Sequence, residues 1–402
     1  MEAGGNGFVG PGADASFRAN PHPILAFLRE HQPLARTPLG PWAITRYADV
    51  TRLLREVRCG MRRRDGTPFL IPAERGPNGL DANDFMLLQD GAPHARLRKL
   101  VAKAFTPRMV ERLRPEVQEV SDACIDRVLE KGSLDVAEDL ARVVPSTIIC
   151  KMLGVPLADR PRFTEWTAHA THALAVQFAP SSALALAQPA LEKLTEYFVA
   201  LADERRRALG DDLLSELIRA EEDGDRLSSA ELIVQAVGLL GAGFETTIGL
   251  IGLGVRQLLL HPGELARLVA DPGLVAGAVE ECLRFDPPIL GTVRILHEPL
   301  EWHGPTLPPD EPVLALLAAA NRDPRAYDEP DRFDITRIGV PHWGFGGGEH
   351  FCLGAHLARL EAQLAIGTLV RRLPGLGLES EHIEWSDSLF RVPAKLPVRF
   401  RA

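Results

Sequence analysis

Paired cysteines and aromatic side chains are scarce in this sequence. Its five cysteines are scattered over 402 residues, and no C-x-x-C pair occurs. Disulfide frameworks and structural zinc sites use cysteines in pairs, so both are disfavoured and a reducing cytoplasm is the expected compartment. The five Trp and three Tyr, with a net charge of −9, also argue against nucleic-acid binding, which uses stacking rings and basic surfaces.

Signal-peptide features, internal repeats, low-complexity tracts and long linkers are lacking as well. Residues 1–17 contain no basic patch followed by an apolar run, so we expect no secretion signal. Since 46% of the residues are hydrophobic and 25% are charged, the chain can bury a substantial core. We therefore predict a single domain that spans residues 1–402.

One long apolar segment has the length of a membrane span. Residues 236–255 are almost wholly apolar, but Glu245 lies near their middle among six glycines. A carboxylate at that depth of a bilayer is costly. We expect a helix buried inside the protein and no membrane anchor.

Hydrophobic periodicity predicts a mainly α fold with small β-sheets. Helical patterns extend over residues 95–105, 115–130, 190–209, 228–260 and 273–285. Short strand-like segments occur at residues 42–45, 313–317 and 396–400, and Pro and Gly residues separate the elements.

The most informative segment is the glycine-rich stretch of residues 345–354, which places Cys352 just before a predicted helix. The apolar face of that helix carries Leu353, Leu357, Leu360 and Leu364. Unpaired N–H groups and the positive end of the helix dipole favour the thiolate of a cysteine in this position. The glycines let a large flat group approach the backbone, and a flat group bound through a thiolate is best explained as a haem.

Cys352 has two other interpretations. A cysteine can be a small buried apolar residue and nothing more, or His350, Cys352 and His356 could be zinc ligands. Zinc sites usually recruit a second pair of Cys or His at fixed spacing, and the sequence has none. Both interpretations are therefore less favoured than the haem.

Residues 345–359 read F-G-x-G-x-H-x-C-x-G-x-x-L-A-R, and this pattern resembles the haem-binding loop of the cytochrome P450 superfamily at every fixed position. The resemblance implies one helix-rich, triangular domain that binds haem b (iron protoporphyrin IX). It also implies that Cys352 ligates the iron, and that Phe345, Gly346 and Gly354 belong to the cofactor-binding loop.

The apolar helix carries a second motif of the superfamily. Residues 242–247, A-G-F-E-T-T, resemble its oxygen-binding motif A/G-G-x-D/E-T. The resemblance implies that Thr246 binds dioxygen and that Glu245 supplies protons, with Thr247 a less favoured hydroxyl. A buried carboxylate beside a hydroxyl can relay protons in a dry pocket. The alternative is structural, with Thr246 bonded to a helix carbonyl and Glu245 paired with a cation.

Two charged motifs follow in the order that the superfamily shows. Glu281 and Arg284 are three residues apart and share a helix face. Residues 330–333, P-D-R-F, resemble the P-x-R-F motif. The resemblance implies that Glu281, Arg284 and Arg332 form a buried charge network that supports the haem loop.

Haem propionates need cationic or hydrogen-bonding partners. Four residues of this chain match positions that bind propionates in relatives, and the resemblance implies the same role here. They are His94 and Arg98, in an H-x-x-x-R pattern, together with Arg294 and His350.

Basic residues are concentrated between positions 96 and 114. They are Arg96, Arg98, Lys99, Lys103, Arg108, Arg112 and Arg114, against the single acid Glu111. A basic patch on an acidic protein can steer an acidic partner, although a solvated helix face has the same composition. In relatives this helix flanks the thiolate side of the haem, where a ferredoxin docks. Because the sequence shows no flavin or nicotinamide domain, we expect electrons from ferredoxin and ferredoxin reductase, or from a flavodoxin-type donor.

The regions that line the substrate pocket in relatives are apolar in this sequence. They contain Phe85, Leu87, Leu88, Leu239, Ala242, Ile289, Leu290, Val293, Leu389 and Phe390. The resemblance therefore implies a hydrophobic substrate, with residues 168–187 as the roof of the pocket. Arg62, Arg63 or Arg64 could anchor a carboxylate, although a run of arginines is usually solvated.

Together the motifs predict a haem-thiolate monooxygenase. It would hydroxylate or epoxidise a fatty acid, terpenoid, steroid or polyketide with dioxygen and two external electrons. The alternatives are a peroxide-driven fatty-acid peroxygenase and a haem-binding sensor or partner-recruiting module without turnover. The presence of Glu245 and Thr246 disfavours both alternatives, because neither requires a proton relay.

Overall fold

The computed structural model describes residues 15–38, 40–69, 80–175, 181–222, 227–339, 341–388 and 390–401. Leu389 of the predicted pocket lies outside the described residues, as do positions 176–180 of the predicted roof.

Helices dominate the described chain. The α-helices are α1 (Ala15–Ala19), α2 (His22–His31), α3 (Tyr47–Arg55), α4 (Gly91–Ala104), α5 (Pro107–Arg112), α6 (Arg114–Asp126), α7 (Val143–Met152), α8 (Arg160–Ala170), α9 (Ser181–Arg207), α10 (Leu213–Glu222), α11 (Ser229–Leu260), α12 (Pro262–Ala270), α13 (Val275–Phe285), α14 (Leu317–Ala320) and α15 (Ala355–Arg372).

Short strands form small sheets between the helices. They are β1 (Leu34–Arg36), β2 (Trp42–Ile44), β3 (Cys59–Gly60), β4 (Ser133–Asp135), β5 (Thr292–Leu296), β6 (Leu300–Glu301), β7 (Thr306–Leu307), β8 (Pro312–Ala315), β9 (Gly377–Leu378), β10 (Glu384–Trp385), β11 (Pro393–Lys395) and β12 (Pro397–Arg399). The largest sheet has the order β1-β2-β8-β5-β3, with β2 and β8 parallel and its other pairs antiparallel. A second sheet has the order β4-β12-β9, and β6–β7 and β10–β11 are antiparallel pairs.

The predicted mainly α fold is confirmed, and each predicted helix and strand is present with small shifts at its ends. The largest difference is α9, which begins at Ser181 rather than near residue 190 because it continues through Pro189. A proline removes one helical hydrogen bond and usually ends a helix pattern, which explains the late predicted start. Ser228 and Glu231 form a reciprocal capping box that fixes the beginning of α11.

Helix α11 is the central helix and packs against α7, α9, α13 and α15. It is long and apolar enough to cross a membrane, but 67% of its most apolar stretch of 18 residues is buried inside the protein. This burial agrees with the expectation of a core helix. On α15, Leu357 and Leu360 are buried in the same core, as the spacing predicted. Helix α11, which carries the oxygen-binding motif, is therefore packed against helix α15, which follows the cysteine motif.

Candidate active site

The cysteine loop, residues 343–354, has a backbone that requires glycine at specific positions. Gly346 and Gly348 have φ values of +65° and +69°, which L side chains rarely adopt. A Cβ at Gly348 would lie only 2.0 Å from the Leu54 carbonyl oxygen. Cys352 donates its backbone N–H to the Phe345 carbonyl over 3.0 Å, which closes the loop before α15 begins. The loop is thus a tight, local structure that presents one cysteine.

Cys352 differs from the other cysteines in its surroundings. The other four are buried, whereas Cys352 is half-buried. Burial raises the pKa of the Cys352 thiol, while the backbone N–H of Gly354 and the positive charges of Arg98 and Arg359 oppose that increase. These three groups favour the thiolate, which is the form that binds a metal.

The four residues expected to bind propionates come together beside this loop. The ring centroids of His94 and His350 lie 4.3 Å apart. Arg98 donates a hydrogen bond to the Phe351 carbonyl, and Arg294 is buried on β5. Burial, and then the positive charges of His350 and Arg98, lower the pKa of His94 to about 4. The cluster therefore offers hydrogen-bond donors and the two guanidinium groups of Arg98 and Arg294, while His94 is uncharged at neutral pH.

A buried side chain of this cluster has unsatisfied hydrogen-bonding atoms. Neither ring nitrogen of His350 has a hydrogen-bond partner within the described residues. Carboxylate oxygens of Asp90 and Glu349 lie 3.8 and 3.7 Å from its Nε2, beyond hydrogen-bond range. Buried polar atoms are ordinarily paired, so an additional acceptor is expected at this place.

These features fit a haem that carries two propionates and is ligated by a thiolate. When bound, the haem supplies the redox chemistry and the place where dioxygen is activated. Cys352 would hold its iron, and His94, Arg98, Arg294 and His350 would hold its propionates. His356, which the zinc interpretation requires, is exposed on α15.

One face of α11 is open in the middle of the helix, where the oxygen-binding motif lies. Ala242 is exposed and Thr246 is half-buried, although most residues around them are buried. A Cβ at Gly241 would meet nothing within 4 Å, whereas one at Gly238 would lie 2.3 Å from the Phe85 ring. Thr246 donates its hydroxyl to the Ala242 carbonyl over 2.8 Å, as the structural alternative expects. The hydroxyl oxygen can still accept a hydrogen bond from the open face.

Glu245 is buried on a different face of α11. Its carboxylate accepts a 2.8 Å hydrogen bond from the Ser388 hydroxyl. Burial raises the pKa of Glu245 to about 7, against the opposing effects of Ser388, Arg142 and Thr171. A carboxyl group that titrates near neutral pH can both take up and release a proton. Sequence reasoning missed these three partners, because they lie in distant segments and belong to no motif.

The buried charge network is present, with one correction. Arg284 donates hydrogen bonds of 2.7 and 2.8 Å to the Glu281 carboxylate, and both side chains are buried. The prediction that the Arg332 side chain joins this pair is wrong, because that side chain is 55% exposed and pairs with Glu329. The second cation near Glu281 is Arg337, at 3.4 Å.

The conformation of residues 331–333 explains the correction. Phe333 is buried against the ring of Phe285, while the neighbouring Arg332 side chain is exposed. The backbone carbonyl of Arg332 faces inward and accepts hydrogen bonds from Arg284 and Arg337. The P-x-R-F segment therefore contributes a backbone acceptor to the network rather than a cation.

The network reaches the cysteine loop through one asparagine. Arg284 donates to the Asn321 carbonyl over 2.9 Å, and the Asn321 side chain accepts the backbone N–H of Trp343 over 2.7 Å. Trp343 begins the cysteine loop. A chain of hydrogen bonds through Asn321 therefore connects Glu281 and Arg284 to the cysteine loop that they were expected to support.

The described pocket residues differ in burial. Leu87 and Ala242 are exposed, Ile289 and Phe390 are half-buried, and Phe85, Leu88, Leu239, Leu290 and Val293 are buried. Exposure of Ala242 on the open face of α11 places one member of the set beside Thr246. Among the buried members, Phe85 and Leu239 belong to one hydrophobic core cluster, and Leu290 and Val293 belong to another.

Two of the three arginines considered as carboxylate anchors are already engaged. Arg62 donates to the carbonyls of Leu88 and Asn83, over 2.9 and 2.6 Å. Arg64 forms an ion pair of 2.9 Å with Asp310. The guanidinium of Arg63 lies over the Phe69 ring and has no ion pair within the described ranges. Only Arg63 therefore remains as a candidate anchor among the three.

The basic patch of α4 and α5 is partly neutralised. Arg96 pairs with Glu231, and Arg114 pairs with Glu111. Arg98 is half-buried and hydrogen-bonded to the Phe351 carbonyl. The other four cations of the patch are exposed and have no ion pair in the part of the chain that is described. They are Lys99, Lys103, Arg108 and Arg112. Phe351 of the cysteine loop is 41% exposed and receives a hydrogen bond from Arg98 of α4, so an apolar side chain adjoins these charges.

Comparison with known proteins agrees with these features. The sequence model described as Cytochrome P450 matches residues 74–271 and 273–378. The chain is 41% identical over 399 residues to cytochrome P450 107B1 of Saccharopolyspora erythraea, with 96% of each chain covered. It is 39% identical to the vitamin D(3) 25-hydroxylase of Pseudonocardia autotrophica, with 95% of this chain and 94% of that one covered. Among solved structures, the myxobacterial cytochrome P450 CYP267B1 in complex with myristic acid has a TM-score of 0.86 and 42% identity, with 96% and 98% covered.

Proposed function

This chain belongs to the cytochrome P450 family and is a haem b-dependent monooxygenase, and we propose that it inserts oxygen into an uncharged hydrophobic small molecule. One observation carries the assignment of the site. Cys352 is half-buried and lies beside a cluster in which the ring nitrogens of His350 have no hydrogen-bond partner among the described residues. The electrons come from a separate redox protein. We also propose that residues 1–402 act as one domain in the cytoplasm.

The residues of this chain divide the work between two sides. On one side Cys352 holds the iron, and His94, Arg98, Arg294 and His350 orient the haem through its propionates. On the other side the small residues of α11 leave room for substrate and dioxygen, while the Thr246 hydroxyl oxygen accepts a hydrogen bond at the open face. Glu245 holds a proton that it can release near pH 7. Apolar walls exclude water and favour an uncharged substrate.

The substrate class is the part that the relatives leave open. One relative is named for hydroxylation of vitamin D(3), an uncharged steroid-derived alcohol, and a structural neighbour binds myristic acid, a linear acid. A linear acid requires a cation for its carboxylate, and Arg62 and Arg64 are occupied by internal partners. We therefore place uncharged terpenoid, steroid or polyketide substrates ahead of free fatty acids.

An optical titration of the ferric protein tests this order. We expect a low-to-high-spin shift with ring compounds such as vitamin D(3) and a weaker response to myristic acid. Comparison of myristic acid with its methyl ester isolates the carboxylate. A shift that is confined to the free acid and is lost in Arg63→Ala, but not in Arg64→Ala, would overturn the substrate proposal and identify Arg63 as the anchor.

Turnover tests the reaction itself. NADPH with a surrogate ferredoxin and its reductase should be consumed faster when a shift-inducing ligand is present, and product should carry oxygen from labelled dioxygen. Product that forms only with hydrogen peroxide would favour the peroxygenase alternative. Ligand binding without any turnover would favour the sensor or recruiting module.

The exposed cations of α4 and α5 are the proposed docking site for the redox partner. Lys99→Glu with Lys103→Glu should lower ferredoxin-driven turnover several-fold at low salt, and the loss should shrink as salt screens the charges. Arg162→Glu with Arg207→Glu, on helices α8 and α9, changes the net charge by the same amount and is the control. An equal effect of both substitutions would place the docking site elsewhere.

A further inference from the structure

The hairpin formed by β10 (Glu384–Trp385) and β11 (Pro393–Lys395) lies directly against α11. A Cβ at Gly249 would approach the Arg391 carbonyl oxygen to 2.9 Å, and one at Gly252 would approach the Pro393 ring to 3.3 Å. Glu245, Gly249 and Gly252 are four and three residues apart, so they share one face of α11. The two glycines let the hairpin pack closely, and Glu245 continues the same contact surface by one helical turn.

One hydroxyl group joins this hairpin to Glu245. Ser388, which lies in the connection between β10 and β11, is buried and donates to the Glu245 carboxylate over 2.8 Å. The same Ser388 oxygen accepts the backbone N–H of Phe390 over 3.0 Å. Phe390 belongs to the apolar set predicted to line the substrate pocket. Ser388 is therefore bonded at once to the carboxylate and to the hairpin backbone beside a pocket residue.

Glu245 and Thr246 face different sides of α11 in this arrangement. Consecutive residues of an α-helix point about 100° apart, and the Thr246 hydroxyl donates to Ala242 on the open face. A proton held by Glu245 can reach that open face only if the carboxyl group turns away from the hairpin. The Ser388 hydrogen bond opposes such a turn.

We propose that Ser388 is a positioning residue that holds the Glu245 carboxyl group and thereby controls proton supply to the open face of α11. This inference rests on the proposed monooxygenase function. The proton leaves from the Glu245 carboxyl group, and Ser388 keeps its own proton throughout. Arg142 and the Thr171 hydroxyl, which also face Glu245, belong to other segments of the chain.

Infrared spectroscopy of the holoenzyme tests the contact without turnover. The band of the protonated carboxyl group is assigned to Glu245 by its loss in Glu245→Gln. We expect Ser388→Ala to shift this band to higher frequency and to raise its titration midpoint, because a donated hydrogen bond that favours the carboxylate is removed. Ser386→Ala is the matched control, since Ser386 lies in the same hairpin and its hydroxyl, within the described residues, accepts a single long hydrogen bond of 3.4 Å from the Ser388 backbone N–H. Identical bands in the wild type and Ser388→Ala would overturn the proposal.

The fate of dioxygen tests the consequence for proton supply. In turnover with NADPH and a surrogate ferredoxin system, without added substrate, electrons reduce dioxygen either to peroxide or to water, and water requires more NADPH for each dioxygen. We expect Ser388→Ala to change the peroxide-to-water ratio about fivefold, which is the typical effect of one hydrogen bond. Ser388→Thr, which keeps the hydroxyl, should restore the wild-type ratio, and Ser386→Ala should retain it.

A double substitution separates positioning from loss of structure. If Ser388 acts through Glu245, Ser388→Ala should have no further effect on the ratio in a Glu245→Gln background. Additive effects would overturn the inference. The reduced carbon monoxide spectrum distinguishes the two levels of failure: a wild type without a thiolate-type spectrum contradicts the proposed function itself. An intact spectrum in all variants with an unchanged ratio contradicts only the role of Ser388.

Discussion

The cysteine loop and the middle of α11 both carry superfamily motifs, but they hold their functional side chains in different ways. The cysteine loop depends on its own backbone, through left-handed glycines and a hydrogen bond between Cys352 and Phe345. In α11 the helix is regular, and Glu245 takes its hydrogen bond from Ser388, which lies 143 residues away in sequence. The motif of the cysteine loop thus contains nearly all the residues that shape that loop. The motif of α11 contains Glu245 but not Ser388, the residue to which it is hydrogen-bonded.

The largest expected effect is on the side of the cysteine loop. Cys352→Ala should abolish the thiolate-type spectrum of the reduced carbon monoxide complex, because Cys352 is the cysteine of the glycine loop. Cys59 lies near Arg294, but burial raises the pKa of its thiol to about 12 and so disfavours the thiolate. Cys124→Ala, which removes a buried thiol of α6, should keep that spectrum. A thiolate-type spectrum in Cys352→Ala would contradict the assigned ligand.

The next effect compares two adjacent hydroxyls of α11. Thr246 is half-buried on the open face, whereas Thr247 is buried and donates to the Gly243 carbonyl over 3.1 Å. Thr246→Ala should retain ligand binding but yield at least about tenfold less product per NADPH, with peroxide as the main product. Thr247→Ala should keep near-normal coupling. Equal coupling losses in both variants would mean that the substitutions disturb the helix rather than a specific proton path.

The yield of product per NADPH, measured as a function of pH, tests the role of Glu245. Its pKa is raised by burial to about 7, so the protonated form is lost as the pH increases above that value. Product per NADPH should therefore fall above pH 7, by roughly tenfold per pH unit where proton release from Glu245 limits the reaction. Glu245→Gln should remove this dependence at a low constant level. A wild-type profile that is flat from pH 6 to pH 9 would exclude Glu245 as the titrating group.

Stability should change with pH in the same direction. The native pKa of Glu245 is higher than the usual value of 4.5, so the folded state binds more protons than the unfolded state between these two values. The contribution of Glu245 to the free energy of unfolding should fall as the pH increases from about 4.5 to about 7 and then stay constant. Urea unfolding of the wild type and Glu245→Gln at several pH values measures this difference.

The same contrast explains what could be predicted from the sequence. Helix α11, the face of α15 and the cysteine loop follow from periodicity, glycine placement and a contiguous pattern, all of which are local. The partners of Glu245 depend on how the β10–β11 hairpin and the segment after α8 pack on α11. Hydroxyl residues such as Ser388 and Thr171 are common in any sequence, and no spacing rule selects them. Local rules therefore locate the functional residues, and tertiary packing determines their protonation and orientation.

The smallest expected effect concerns the support of the cysteine loop, where one motif residue was assigned the wrong role. Arg337 approaches the buried Glu281 carboxylate and also donates to the Arg332 carbonyl over 3.0 Å. Arg337→Ala removes one cation from a buried carboxylate that retains Arg284, so the free energy of unfolding should decrease by about 1–3 kcal/mol. The Arg332 side chain is exposed and pairs with Glu329 and, over 3.7 Å, with Asp334, so Arg332→Ala should leave stability within experimental error. The backbone carbonyl that serves the network is unchanged by that substitution.

Urea unfolding of the holoenzyme, with haem content measured in parallel, compares the two variants. A larger loss in Arg332→Ala than in Arg337→Ala would restore the Arg332 side chain to the network and would mean that the motif, in this case, describes a side-chain contact after all.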